Sequence, residues 1–189
     1  MAICEDTITV TTPVGDYSIT VNRDDETESP LRTNVADGLT IIGYAGKHVL
    51  SETSNCELPG DNVLRELLRE YGPDVAEIQR HMAAHSDLTL IVESVPNRFG
   101  PTTIFAIDRP ITETRYVIDL FKSWVNDDVF GVTVWDCEDD DGVQNVISEN
   151  WGLFGHADDS NPSYVCAIDY ARSVISEHVT MTQRYGLPT

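Results

Sequence analysis

Lysine is nearly absent from this chain. Lys47 and Lys122 stand beside ten arginines and 32 acidic residues in 189 positions, for a formal net charge of −20. A protein this acidic repels a phosphate backbone unless a local basic face intervenes. No basic run exists in the sequence, so no direct binding to nucleic acid is expected. Long apolar runs are missing as well. No stretch approaches the roughly 18 consecutive apolar residues of a membrane-spanning helix, and the opening MAICEDTITV lacks the basic and apolar segments of a secretory signal. Only four cysteines occur, Cys4, Cys56, Cys137 and Cys166, with no CxxC pair among them. That dispersal argues against a zinc ribbon or a disulfide framework and fits reduced thiols in the cytoplasm. The Gly-x-Ser-x-Gly signature of a serine nucleophile is absent. Gly43-Tyr44-Ala45-Gly46-Lys47-His48 has the spacing of neither a P-loop nor a dinucleotide loop. No cofactor is expected, and no catalytic residue is assigned.

What is present is enough apolar sequence for an ordered core, 41 % of residues with no long polar tract. The length suits one domain over residues 1–189, with residues 1–35 as a hairpin and acidic loop that can stand as an appendage. Ile8, Val10 and Thr12 alternate, Pro13 to Asp16 carry turn chemistry, and Tyr17, Ile19 and Val21 alternate again. A loop is expected over Arg23 to Asn34, a strand over Leu39 to Ile42, and another loop from Ser51 to Gly60. Val63, Leu64, Leu67, Leu68 and Tyr71 share one face of a helix capped by Asp61. A second helix starting at Pro73 carries Val75, Ile78 and Met82. Strands are expected over Leu88 to Val92 and Thr103 to Ile107, then a helix from about Glu113 to Trp124. The segment Val129 to Trp135 is a strand joined by the turn Glu138 to Gly142 to a partner near Val143 to Ile147. A last helix follows Asn161-Pro162. Strands in turn-linked pairs with helices between the pairs predict an α+β fold, mostly antiparallel, with three to four helices packed on the sheet.

Two clusters carry possible chemistry. Glu77, His81 and His85 recur every four residues and stack on one helical face, a spacing that can hold a metal. The glutamate that a zincin places directly after its first histidine is missing, so the pattern does not reach metalloprotease chemistry. The second cluster is Asp136, Glu138, Asp139, Asp140 and Asp141. Its alternate acids resemble calcium ligands, but the glycine falls at the wrong place for an EF-hand loop, and an exposed hairpin tip explains the same residues. The charge is uneven along the chain. Residues 113–160 hold twelve acids and two bases, half of the net charge. Carboxylates packed together repel one another, so they are kept in solvent or put to use, and one use is imitation of the phosphate row of DNA.

The runs Phe121-Lys122-Ser123-Trp124-Val125-Asn126-Asp127-Asp128-Val129-Phe130-Gly131-Val132 and Trp151-Gly152-Leu153-Phe154-Gly155 resemble a pattern in uncharacterised accessory proteins of phages and mobile elements. Those proteins have an aromatic-bearing helix, then Gly-Asp-Val-Tyr-Gly, an acidic hairpin, and Trp-Gly-Phe-Tyr-Gly before a final helix. The likeness covers about Tyr116 to Ala171. It departs in reading Asp127-Asp128-Val129-Phe130-Gly131 and Leu153-Phe154, and the Asp-His-Ser-Gly segment of such proteins has no counterpart beyond Gly43-Tyr44-Ala45-Gly46. The resemblance implies a mobile-element origin and no catalytic residues.

The resulting expectation is a cytoplasmic accessory protein, more a binder than an enzyme, that occupies a basic host protein as a DNA-mimic-like inhibitor. Asp127, Asp128, Asp136, Glu138, Asp139, Asp140 and Asp141 would meet the partner, with Trp151 and Phe154 as aromatic anchors. Trp124, Phe130, Trp151 and Phe154 can equally form a hairpin core. The alternatives are a metal-dependent enzyme using Glu77, His81 and His85, and a virion or halophilic domain whose acidity has no partner.

Overall fold

Alternation in the first 23 residues folds as the hairpin it predicts. The Thr12 hydroxyl closes the turn, donating to the Gly15 carbonyl at 2.9 Å and accepting from the Val14 N–H at 3.2 Å. A computed structural model describes residues 4–54, 60–96, 100–109, 114–136, 144–155 and 165–185. Its strands and helices are β1 Cys4–Thr12, β2 Gly15–Arg23, β3 Ile41–Ala45, β4 His48–Glu52, α1 Asp61–Tyr71, α2 Val75–Met82, β5 Thr89–Val95, β6 Thr102–Asp108, α3 Thr114–Val125, β7 Val129–Trp135, β8 Val146–Phe154 and α4 Val165–Tyr185. The fold is α+β, with two antiparallel four-stranded sheets ordered β1-β2-β7-β8 and β4-β3-β6-β5. Each sheet belongs to its own compact unit. The first joins residues 1–27 to 127–189, and the second is residues 28–126.

In the first unit the N-terminal hairpin is built into the sheet, because β2 pairs with β7 from Ser18↔Trp135 to Arg23↔Phe130. The inward positions Tyr17, Ile19, Val21, Phe130, Val132 and Val134 are buried against Ala167, Ile168, Ala171 and Ile175 of α4. Tyr17 keeps its hydroxyl satisfied at 3.0 Å from Nδ1 of His178. One sheet face thus carries the core, and α4 is the only helix of this unit among the described residues.

The second unit covers both faces of its sheet. Ile41, Ile104 and Ala106 pack with Leu31, Leu39, Val117, Ile118 and Phe121 on one side. Ile42, Phe105 and Ile107 pack with Leu64, Leu68, Ile78 and Met82 on the other. Near-continuous burial along β3 and β6 follows from this two-sided cover. Gly43 lets Phe121 lie on the strand; a Cβ there would sit 2.4 Å from the ring. Among the buried polar groups, Asp61 is 1 % exposed and receives Arg109 at 3.1 Å. Arg65 pairs with Glu52 and donates to the Thr53 carbonyl at 2.7 Å.

Several boundaries differ from those expected. Part of the loop assigned from Ser51 is the end of β4, a short strand whose exposed side gives no clear alternation. Asp61 does not cap α1. Gly60 does, in a left-handed conformation (φ 96°), and Asp61 turns inward to Arg109. Asp74 rather than Pro73 starts α2, its carboxylate accepting from the Glu77 N–H at 3.1 Å. Within the Arg23 to Asn34 stretch, Ser29 caps a short 3-10 turn over Pro30–Arg32, and the Ser51 hydroxyl meets Ser29 at 2.7 Å. The partner of β7 starts at Val146 and runs on to Phe154. The turn Glu138 to Gly142, Asn161-Pro162, Cys56 and Cys137 lie outside the described residues.

Candidate functional site: the outer face of the first sheet

Side chains alternate across a strand, so the residues between the core positions of the first unit point away from α4. From edge to edge these are Thr7, Thr9 and Thr11 on β1, Asp16, Ser18, Thr20 and Asn22 on β2, Val129, Gly131, Thr133 and Trp135 on β7, and Glu149, Trp151 and Phe154 on β8, with Val129 and Thr133 themselves buried. Hydroxyls fill the β1–β2 half and aromatic rings the β7–β8 half.

Trp151 is placed by a β-bulge. Phe130 pairs with Leu153 and Val132 with Asn150, so Trp151 and Gly152 together oppose Gly131. Gly152 takes φ 73°, a conformation costly for other residues, and its N–H is held at 3.0 Å by the Asp24 carboxylate. The same carboxylate accepts the Thr27 hydroxyl. The bulge lays the indole flat on Gly131, where a Cβ would lie 2.0 Å from the ring. Trp151 remains 42 % exposed, and its Nε1–H donates to Glu149 Oε1 at 2.9 Å. An aromatic ring in solvent is thus fixed on one side by backbone and at its edge by a carboxylate.

The acidic residues expected to meet a partner separate into groups. Asp127 and Asp128 precede β7, with the Asp128 carbonyl accepting from the Gly155 N–H at 2.7 Å. Asp136 follows β7 and accepts from the Asn145 N–H at 3.0 Å, which ties the ends of β7 and β8. Eight residues of strand put Asp128 and Asp136 about 26 Å apart at ~3.3 Å per residue. Trp151 and Phe154 join the Asp128 end, since Phe154 pairs with Val129. Glu138, Asp139, Asp140 and Asp141 lie outside the described residues. Of the four aromatics grouped from sequence, Phe130 is core, Trp124 stacks on Phe121 in the second unit at 5.7 Å, and Trp151 is exposed. Trp135 and Glu149 were not singled out by sequence reasoning. Their signal was the alternation of β7 and β8, hidden by the bulge.

Two of the three residues proposed to hold a metal, Glu77 and His81, have other partners. The Glu77 carboxylate pairs with Arg80, and that contact raises the guanidinium pKa further. His81 lies 3.7 Å from Glu77 and stacks on Tyr71 with ring centroids 4.5 Å apart. The Tyr71 phenol is itself raised, chiefly by its hydrogen bond to Glu70. The helix ends at Met82, so His85 leaves the helical row. Among the described residues no three His, Cys, Asp or Glu side chains are grouped to hold a metal ion.

Comparison with protein-family models, curated proteins and solved structures gives no match to this chain. No helix among the described residues is long and apolar enough to cross a membrane. The electrostatics of the site therefore rest on the chain's own charges. The first unit has 18 acidic residues and three basic ones, a net of −15, while the second has 14 and nine, a net of −5. All three arginines of the first unit are engaged elsewhere. Arg23 lies over Phe130 at 5.9 Å, Arg172 is 3.7 Å from Asp169, and Arg184 lies over Tyr185 at 5.5 Å.

Proposed function

We propose that this protein works by binding a basic protein, as an accessory protein of the phage or mobile-element kind that inhibits a nucleic-acid-handling or defence factor in the host cytoplasm. The observation that carries the reading is the concentration of three-quarters of the net charge in the unit whose sheet, among the described residues, has a helix on one face only. Charge of this density steers a basic partner and raises its association rate. Acids at both ends of β7 span about 26 Å, close to eight base-pair steps of a duplex at ~3.4 Å each. Trp151 and Phe154 add the aromatic contacts that charge alone lacks. The resemblance to mobile-element proteins supports the context. Its pattern has Gly at the position of Asp127, and Asp127 adopts φ 59°, a conformation open to Gly and tolerated by Asp.

The test is a pull-down from host lysate at about 50 mM and then 500 mM salt, since ionic contacts weaken steeply over that range. One basic, nucleic-acid-handling protein, retained at low salt and released at high salt, is the expected result. Joint reversal of Asp139, Asp140 and Asp141 to lysine then slows association and flattens its salt dependence. Capture that ignores both salt and charge reversal would sink the reading.

A further inference from the structure

Resting on that reading, we infer that Trp151 and Glu149 form a seat for an arginine side chain of the partner, the indole as platform and the carboxylate as ionic contact. A seated indole in solvent presents the negative face of its quadrupole, which attracts a cation. The opposite ring face is closed by Gly131, so only one side is available. Glu149 is exposed and spends one oxygen on the indole N–H at 2.9 Å, leaving the other for a donor beside the ring. The three arginines of the same unit are engaged at other places, Arg23 at Phe130, Arg172 at Asp169 and Arg184 at Tyr185. The surrounding positions Thr20, Asn22 and Thr133 are neutral. Arginine suits this geometry better than lysine. Its planar guanidinium stacks on a ring while its N–H groups point sideways to a carboxylate, and it sheds water more readily than an ammonium.

The inference is tested with an oligo-arginine peptide and an oligo-lysine peptide of equal length, titrated into the full chain at low and high salt by calorimetry. The expected result is arginine binding about three- to tenfold tighter than lysine. Trp151→Ala removes that preference and leaves the lysine peptide within about twofold of its former affinity. Gly131→Ala gives the same loss with the tryptophan retained, because the added Cβ unseats the ring while the exposed indole is free to swing out. Glu149→Gln lowers arginine affinity by about twofold, the size of an exposed ion pair. Equal binding of the two peptides, or a preference that survives both Trp151→Ala and Gly131→Ala, overturns the seat while salt-sensitive binding keeps the wider reading. Absence of salt-sensitive binding by either peptide overturns both. A neutral cello-oligosaccharide run alongside gives the third outcome; binding lost on Trp151→Ala, with no arginine preference, assigns the face to sugar and overturns the seat.

Discussion

The two units solve the same packing problem in different ways. In the second, helices lie on both faces of the sheet, and its central strands are apolar on both sides. Charges that enter there are paired, Asp61 with Arg109 and Arg65 with Glu52. In the first, one helix covers one face, and the other face carries hydroxyls, a seated tryptophan and acids at either end. A net of −5 goes with the enclosed unit and −15 with the half-covered one. Unpaired carboxylates are costly beside a closed core and cheap on a solvated sheet. The half-covered unit is therefore where acidity can accumulate, and where it can be used.

Breaking the buried pair gives the largest expected effect. Asp61→Ala removes the buried carboxylate that receives Arg109 and costs about 3 kcal/mol of stability. Residue-resolved hydrogen exchange should show protection falling across β6 and α1 of the second unit. Equal loss in both units would mean that they unfold together. The two glycines sharpen the contrast further. Gly43→Ala forces a methyl group against buried Phe121 and costs about 1–3 kcal/mol in denaturant unfolding. Gly131→Ala should cost under about 1 kcal/mol, because the exposed Trp151 ring can move aside. Comparable losses for the two variants would show that Trp151 is structural rather than poised for a partner. Tyr17→Phe in the first unit removes the contact with His178 and should cost about 1 kcal/mol.

The smallest effects are electrostatic. Salt should raise protection in the first unit more than in the second, since screening relieves self-repulsion where charge is densest. At high pH two groups of the second unit respond. Burial, reinforced by Glu52, holds the Tyr44 phenol above its usual 10.0. Burial would lower Lys122, but its hydrogen bonds to Glu93 and Asp119 outweigh this and leave it above 10.5. Below pH 10 both groups keep their protons in either state. As pH rises past 10 the unfolded chain releases them first, so stability falls as pH climbs through the folded values. Tyr44→Phe should reduce that fall in an alkaline unfolding series and leave the Lys122 part in place.

Local elements were legible where one periodicity ruled. Val129 to Trp135 is a strand as expected, and the Val117, Leu120, Phe121, Trp124 spacing became α3. The site was less legible. Trp151 reads as a strand residue only once the bulge at Gly152 is allowed for, and Asp24, which holds that bulge, lies 128 residues away along the chain. The Glu77, His81 and His85 spacing looked like a ligand row because sequence does not say where α2 ends.

By itself, the sequence determined the α+β class, the hairpins and helices, the missing basic face, and the crowding of acids in the second half of the chain. These follow from composition and from periods of two and 3.6 residues, which act over short distances. Tertiary structure alone decided that the N-terminal hairpin pairs with β7, that Asp24 holds the bulge at Gly152, and that Trp151 lies on Gly131 beside Glu149. The first two join residues more than a hundred positions apart. They arise from burying apolar faces against one another, which no local pattern records.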